Sequence, residues 1–208
     1  MNNDDLEIQE KRQAYQGYFR MDEWHVRHRL FEGGWSNQIT RECLERGHAV
    51  AVLPYDPVRD EVVLIEQFRV GAAASAPSPN WGGDPPSPWL TEIVAGIVED
   101  GEHPDDVAAR ETMEEAGCAL LDLKPITTYL VTPGCSSETI RLYLGRVDAE
   151  NAGGIHGLDH ENEDIRVFTL PASEAFAMVA DGRINNGTII ICLQWLQLNH
   201  EAVRREWA

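Results

Sequence analysis

Alternating apolar and polar side chains predict several strands along this chain. From Trp24 to Leu30 the alternation has a period of two, and Glu32-Gly33-Gly34 follows as a turn, so we predict a hairpin near the N-terminus. Residues 71–88, rich in Pro, Gly, Ser and Ala, are predicted to form a long loop. The same reasoning predicts further strands, separated by turn-rich segments, over residues 48–53, 61–67, 90–98, 126–131, 140–147 and 165–170.

Helical patterns appear in three segments, residues 104–116, 172–180 and about 186–199. The first has Pro104 at its first position and Gly117 directly after its end, which are typical signals for helix boundaries. Because strands and helices do not alternate strictly, the pattern favours an α+β fold with a mixed sheet covered by helices over a doubly wound parallel sheet.

A chain of 208 residues is long enough for one large domain or for a domain with a small appendage. We expect residues 1–45, which carry the hairpin, to form a small sheet, and residues 46–208 to form the main domain. No apolar run approaches the ~18–20 residues that span a bilayer. The acidic, polar start MNNDDLEIQEKRQ lacks the layout of a secretory signal, so we expect a cytoplasmic protein.

The formal net charge of −18 restricts the possible partners. Nucleic acid and anionic lipid bind through basic patches, so neither is an expected partner. A small phosphate ligand can still bind where divalent cations and a few arginines reverse the local field. The four cysteines are scattered and form no CxxC pair, which argues against a structural zinc site and a disulfide framework.

Carboxylates cluster in the last turns of the first predicted helix. Glu111 and Glu115 form an i,i+4 pair on one face, and Glu114 lies on an adjoining flank. These like charges repel, and the helix macrodipole also disfavours anions at this end. A divalent cation such as Mg²⁺ or Mn²⁺ would relieve the conflict, because these hard ions prefer carboxylate oxygens. A solvated acidic face is the alternative interpretation of the three residues taken alone.

A longer pattern surrounds these glutamates, Gly-x5-Glu-x7-Arg-Glu-U-x-Glu-Glu-x-Gly-U, in which U is a bulky apolar residue. Its fixed positions are occupied by Gly96, Glu102, Arg110, Glu111, Glu114, Glu115 and Gly117. The chain therefore resembles the Nudix family, which implies an α/β/α sandwich and a loop–helix–loop that holds Mg²⁺ on a diphosphate. Thr112 and Cys118 stand where the family has larger aliphatic residues, and we expect a local packing difference without loss of chemistry.

The resemblance implies a role for each matching residue. Glu161, in a loop after the box, would be the general base, with Glu111 and Glu115 completing the catalytic group. Arg110 would be structural, buried and paired with a carboxylate such as Glu102, and direct phosphate binding is the alternative. The implied metal ligands are the carbonyl of Ala95 and the carboxylates of Glu111, Glu114, Glu115 and Glu163.

Similarity to the bacterial ADP-ribose pyrophosphatases of this family extends over nearly the whole chain, through RHRLFEGG, LERGHAVAVLPYDPVRDEVVLIEQFR, PWLTEIVAG and HGLDHENEDIRV. It implies Mg²⁺-dependent hydrolysis of ADP-ribose to AMP and ribose 5-phosphate. The alternatives are a hydrolase of another nucleotide sugar and a non-catalytic ADP-ribose sensor. Two features depart from these relatives: residues 71–88 resemble an insertion, and Cys135 stands where a glycine is usual.

The same similarity implies a homodimer in which the N-terminal sheet packs across the subunits. It also implies substrate contacts by Tyr18, Phe19, Arg41, Glu42, Arg46, Arg69, Ile97 and Thr132. The arginines would bind phosphate and the two aromatic residues would stack on adenine. Ordinary surface arginines and a core aromatic pair are the alternative interpretations.

Overall fold

The computed structural model describes residues 1–75, 86–158, 160 and 162–208. The chain forms two compact units. The first contains Met1–His48 and Tyr129–Ile140, and the second contains Ala49–Thr128 and Arg141–Ala208. The first unit therefore includes residues 129–140 in addition to the N-terminal region, an association between distant parts of the chain that no local sequence pattern indicates.

The first unit is built on a three-stranded antiparallel sheet in the order β1-β2-β3, with β1 at Leu6–Gln16, β2 at Arg20–His28 and β3 at Ile39–Glu45. A single turn of 3₁₀ helix, Asn3–Asp5, precedes it. Every residue of β1 is exposed. Pairing with β2 therefore holds this strand, and burial of an apolar face does not.

The second unit contains most of an eight-stranded mixed sheet. Its main path runs β10-β11-β5-β4-β9-β8, while β6 pairs with β5 and β7 with β4. The strands are β4 at His48–Asp56, β5 at Glu61–Phe68, β6 at Trp89–Glu92, β7 at Val94–Val98, β8 at Asp122–Leu130, β9 at Thr139–Arg146, β10 at Gly154–His156 and β11 at Ile165–Pro171.

The helices of the described residues are α1 at Val70–Ser75, α2 at Pro104–Ala116, α3 at Ala172–Ala180 and α4 at Gly187–Trp207. No helix in the described ranges is both long and apolar enough to cross a membrane.

Strand β5 lies at the centre of the core. Val63 and Ile65 belong to an apolar cluster with Val107 and Ala108 of α2, and Leu64, on the opposite pleat face, is equally buried. Both faces of the sheet are therefore covered. Burial of each such side chain contributes about 1.5–3 kcal/mol.

The predicted α+β class, with a mixed sheet, helices and a small N-terminal antiparallel sheet, is confirmed. Strand β1 escaped prediction because its central residues 9–13 are all polar and show no alternation. The long loop predicted over residues 71–88 is wrong at its start, because the alanine-rich residues 70–75 form α1. Residues 76–85 of that predicted loop lie outside the described residues.

Two predicted boundaries also differ. The strand predicted over residues 90–98 is two strands, which meet at Ile93 and pair with different neighbours. The last helix continues to Trp207 and does not end near Asn199, because Leu196, Val203 and Trp207 keep helical spacing and are all buried.

Candidate active site

Helix α2 carries the glutamate cluster, and local signals define both of its ends. His103 is the N-cap residue, and its Nδ1 accepts the Asp105 N–H at 3.3 Å, while Pro104 occupies the first turn. Gly117 follows the last turn in the left-handed conformation (φ 64°), and its N–H donates to the Met113 carbonyl at 3.1 Å. The helix thus begins and ends where the sequence predicted.

The Glu111 side chain lies against the backbone of strand β7. A Cβ atom added at Gly96 would overlap the Glu111 carboxylate, so only glycine permits this approach. This contact gives a steric reason for glycine at the first position of the sequence pattern. Ile97, a predicted substrate contact, is the next residue of β7 and is half-buried.

Glu115 is the most buried carboxylate of the helix, with 3% of the residue exposed. Its Oε2 accepts the Ala95 N–H at 3.0 Å. Desolvation raises the pKa of Glu115 to about 8 despite this bond, and the charges of Glu111 and Glu163 raise it further. Desolvation likewise raises the pKa of Glu111 to about 7, although Arg110 acts in the opposite direction.

These carboxylates fit a hard divalent cation in their donor chemistry. The half-buried Glu111 and the buried Glu115 offer carboxylate oxygens whose ionised forms are disfavoured, and a cation would supply positive charge there. Within the described ranges, no three His, Cys, Asp or Glu side chains already form a metal-binding group. The fit therefore rests on the Glu111–Glu115 pair and on the backbone at Ala95.

Arg110 connects the carboxylates on the outer side of α2. Its Nη1 lies 2.9 Å from Glu111 Oε1 and 3.0 Å from Glu114 Oε2, and its Nη2 lies 3.7 Å from Glu102 Oε1. The expectation of a buried arginine is wrong, because 42% of the side chain is exposed. Glu114, a predicted metal ligand, is therefore paired with an arginine at the edge of the site.

Glu163 belongs to the loop between β10 and β11. Its Oε2 accepts the Leu158 N–H at 3.2 Å, and its own N–H donates to the Leu158 carbonyl at 3.3 Å. The charge of Glu163 contributes to the raised pKa values of both Glu111 and Glu115. The structure thus brings three of the predicted metal ligands within electrostatic range of one another. Glu161, the predicted base, lies outside the described residues.

Arg69, predicted to contact the substrate, is held by a buried carboxylate. Its Nε and Nη2 donate to Glu92 Oε2 at 3.0 and 2.8 Å. Gln67 donates to the same oxygen at 3.1 Å, and Asn186 donates to Oε1 at 2.7 Å. Because 45% of the Arg69 side chain is exposed, its guanidinium keeps donors for an anionic ligand.

Six predicted substrate contacts belong to the first unit, and three of them are neighbours there. Tyr18 and Phe19 pack edge to face, with ring centroids 4.9 Å apart, and Tyr18 is 86% exposed. The Arg46 guanidinium lies over the Phe19 ring at 5.2 Å, and its Nε is 3.3 Å from Glu138 Oε1. The interpretation of Tyr18 as a core residue is therefore wrong.

The other three lie on strand β3 and on the loop that follows β8. Arg41 and Glu42 are exposed, and Arg41 Nη1 donates to the Thr40 carbonyl at 2.8 Å. The Thr132 carbonyl accepts the Cys135 N–H at 3.1 Å, which closes a turn at Pro133-Gly134. Within the first unit, Arg46, Tyr18 and Phe19 therefore form one group, and Arg41, Glu42 and Thr132 are separate polar residues.

Sequence reasoning missed four residues around the site: Glu92 contacts Arg69, Asn186 contacts Glu92, Glu138 contacts Arg46 and His156 contacts Gly117. Glu92 had a usable signal, since a carboxylate within the apolar stretch WLTEIVAG requires buried partners. The other three gave no local signal, because their partners are distant in sequence.

A family model described as the NUDIX domain matches residues 45–186. This match covers most of the chain and includes β4 through β11 and α2. The chain belongs to the NUDIX family.

Two curated relatives have the same name. The ADP-ribose pyrophosphatase of Escherichia coli (strain K12) is 48% identical over 204 residues, which are 98% of this chain and 93% of that protein. The ADP-ribose pyrophosphatase of Haemophilus influenzae is 44% identical over 203 residues, 98% and 91% of the two chains. A GDP-mannose pyrophosphatase of Yersinia enterocolitica is 32% identical over 168 residues, 81% and 83% of the two chains.

Proposed function

We propose that this protein hydrolyses the pyrophosphate bond of ADP-ribose and releases AMP and ribose 5-phosphate. The observation that carries the proposal is the carboxylate pair of the half-buried Glu111 and the buried Glu115, whose pKa values are raised beside the backbone of β7 in a NUDIX domain. Identity of 44–48% to ADP-ribose pyrophosphatases, over nearly the full length of both chains, supports this substrate.

The proposed cofactor is Mg²⁺, with Mn²⁺ as a substitute. The Ala95 carbonyl and the carboxylates of Glu111, Glu114, Glu115 and Glu163 would hold it. When bound, the metal neutralises the diphosphate and lowers the pKa of the attacking water. Glu111 and Glu115 fit this role because desolvation disfavours their ionised forms more strongly than the charges of Arg110 and Arg69 favour them.

The remaining site residues are proposed to bind substrate and to accept a proton. Glu161 would take the proton of the attacking water, a role that rests on the family resemblance. Arg69, oriented by Glu92, would donate to phosphate oxygens, and Arg46 would do the same beside Phe19. The exposed Tyr18 and its neighbour Phe19 would stack on adenine. Further contacts are assigned to Arg41, Glu42, Ile97 and Thr132.

There are two alternative functions, a hydrolase of other nucleotide sugars and a non-catalytic ADP-ribose sensor. The GDP-mannose pyrophosphatase relative favours a wider range of nucleotide sugars, because one metal site serves any pyrophosphate. A non-catalytic sensor for ADP-ribose is disfavoured, because recognition alone does not require three clustered glutamates on α2.

We also propose a homodimer formed through residues 1–45, with residues 46–208 as the catalytic domain. Strand β1 supports this assembly, since it is the edge of its sheet and every one of its residues is exposed, including Leu6, Ile8 and Tyr15. The four free cysteines fit a reducing compartment, and we assign the protein to the cytoplasm.

The function is tested by incubating the purified protein with ADP-ribose in Mg²⁺ or in chelator and separating the products by chromatography. GDP-mannose and other nucleotide sugars are the comparison substrates, and Glu115→Gln is the inactive control. AMP and ribose 5-phosphate formed only with Mg²⁺, and fastest from ADP-ribose, are the expected result. Binding of ADP-ribose without turnover of any substrate would instead favour the sensor.

A further inference from the structure

The His156 side chain, at the end of strand β10, packs on the residue that ends helix α2. An ideal Cβ atom at Gly117 would lie 2.6 Å from His156 Cε1 and 3.3 Å from Nδ1. The imidazole thus occupies the space that any larger residue at position 117 would need. Glycine at this position therefore serves two purposes, because it also adopts the left-handed conformation that ends the helix.

A hydrogen bond fixes the orientation of the imidazole. Nε2 of His156 lies 2.9 Å from the Gly153 carbonyl oxygen. Since a carbonyl only accepts, Nε2 carries the hydrogen in this contact. The carbonyl is presented by a turn in which Gly153 and Gly154 have φ values of 145° and 98°. His156 is therefore anchored on its own strand while its ring contacts α2.

The residues directly after His156 hold Glu163. A Cβ atom at Gly157 would lie 2.7 Å from Glu163 Cβ and 3.1 Å from the Glu163 carbonyl oxygen. Leu158 exchanges two hydrogen bonds with Glu163, one to its carboxylate and one from its N–H. Any displacement of residue 156 from α2 would therefore move the Glu163 carboxylate relative to Glu115.

We infer that His156 is a positioning residue, which sets the place of Glu163 relative to the carboxylates of α2 by packing on Gly117. The inference rests on the proposed function, in which these carboxylates hold a divalent cation. Residues that hydrogen-bond to a metal ligand typically change metal affinity about 10–100-fold when they are removed, and His156, which reaches Glu163 only through residues 157 and 158, is expected at the lower end of that range.

The test measures Mn²⁺ binding to the full-length protein without substrate, by electron paramagnetic resonance of the free ion. His156→Ala is expected to weaken binding about 10-fold or more. His156→Gln keeps an N–H donor for the Gly153 carbonyl and is expected to restore most of the affinity. If the alanine variant does not fold, His156→Ser, which also leaves the space over Gly117 unfilled, replaces it and is expected to show the same loss of affinity.

A double-mutant cycle with Glu163→Gln separates positioning from general stability. If His156 acts through Glu163, then His156→Ala causes no further loss of Mn²⁺ affinity in the Glu163→Gln background. His200→Ala is the matched control, because His200 is also half-buried and hydrogen-bonded, to Asp60 and Tyr55. The His200→Ala variant is expected to have a lower melting temperature than the wild type and an unchanged Mn²⁺ affinity.

Wild-type affinity in His156→Ala, or an equal loss in both backgrounds, would overturn the inference and leave the proposed function standing. Absence of Mn²⁺ binding by the wild-type protein would overturn both.

Discussion

Two sites in the second unit hold carboxylates whose pKa values are shifted in opposite directions. At the end of α2, burial raises the pKa values of Glu111 and Glu115 to about 7 and about 8. In the turn between β4 and β5, burial also acts against ionisation of Asp60, but hydrogen bonds from Tyr55 and His200 outweigh it and lower the pKa of Asp60. The Asp60 oxygen lies 2.7 Å from the Tyr55 hydroxyl and 2.6 Å from His200 Nε2.

The difference lies in the partners that the protein itself provides. Asp60 is surrounded by two donors and by Arg204, whose Nη1 is 3.6 Å away. Glu115 receives one backbone N–H and faces two other carboxylates, and the charge of Arg69 only partly offsets the effect of burial. A cluster that satisfies its own charge stabilises the fold, whereas one that leaves charge uncompensated requires an external cation.

The largest effect is expected for Glu115→Gln. Loss of a metal-holding carboxylate is expected to reduce turnover roughly 1,000-fold, since a metal ion supplies several kcal/mol of transition-state stabilisation. The metal-free variant should be at least as stable as the wild type, because a buried ionisable group has been removed. Steady-state kinetics and thermal unfolding in chelator measure the two effects. Near-wild-type turnover with Mg²⁺ would show that Glu115 does not hold the metal.

The next effect is a pH dependence of stability in the metal-free protein. Because the folded-state pKa values of Glu111 and Glu115 lie above the ordinary 4.5, the folded state binds more protons than the unfolded state between pH 4.5 and about 8. Their contribution is fully present below pH 4.5 and is lost as the pH rises through 7 to 8. The free energy of unfolding should fall by several kcal/mol, and by at most about 8 kcal/mol, because the two shifts together amount to about six pKa units.

Urea unfolding in chelator at several pH values measures this decline, and Mg²⁺ is expected to reduce it. The contribution of Asp60 to the pH dependence of stability has the opposite sign. Its pKa is lowered, so it contributes stability that is lost only as the pH falls below the ordinary aspartate pKa of 3.8. A metal-free protein that is as stable at pH 8 as at pH 5 would contradict the assignment of raised pKa values to the α2 pair.

Asp60→Asn is the counterpart of Glu115→Gln. Asparagine tolerates the left-handed backbone at this position (φ 59°) but loses the charge that Tyr55, His200 and Arg204 stabilise. We expect a loss of about 1–3 kcal/mol in the free energy of unfolding at pH 7, with unchanged turnover per folded molecule. Denaturant unfolding and kinetics on the same preparation test this. A large fall in turnover would mean that the two clusters are coupled.

The smallest effect is expected for Glu92→Gln. Glu92 resembles Asp60 in being fully partnered, yet one partner is Arg69, a proposed substrate contact. Loss of its charge should loosen Arg69 and raise KM for ADP-ribose about 3–10-fold, with a smaller change in kcat. Arg69→Lys, which cannot form the forked contact, is the matched comparison and should raise KM further. An unchanged KM in both variants would remove Arg69 from the substrate site.

Local signals allowed much of the fold and of the candidate site to be predicted. Pro104 and Gly117 define helix α2 because capping depends on residues adjacent in sequence. The i,i+4 spacing of Glu111 and Glu115 places both on one face of that helix, because residues four positions apart are neighbours on a helix surface. Strand β1 shows the limit of such signals, since its mostly polar and fully exposed sequence is held as a strand by pairing with β2.

The sequence by itself thus determined the class of fold, the helix that carries the glutamates and the charge conflict that calls for a cation. Only the tertiary structure decided which carboxylates are buried, because burial depends on strands and loops that meet from distant parts of the chain. The contacts of Asn186 with Glu92 and of His156 with Gly117 are examples. Long-range packing sets the local dielectric and the partners of each group, and these determine which glutamate is structural and which is available to a metal.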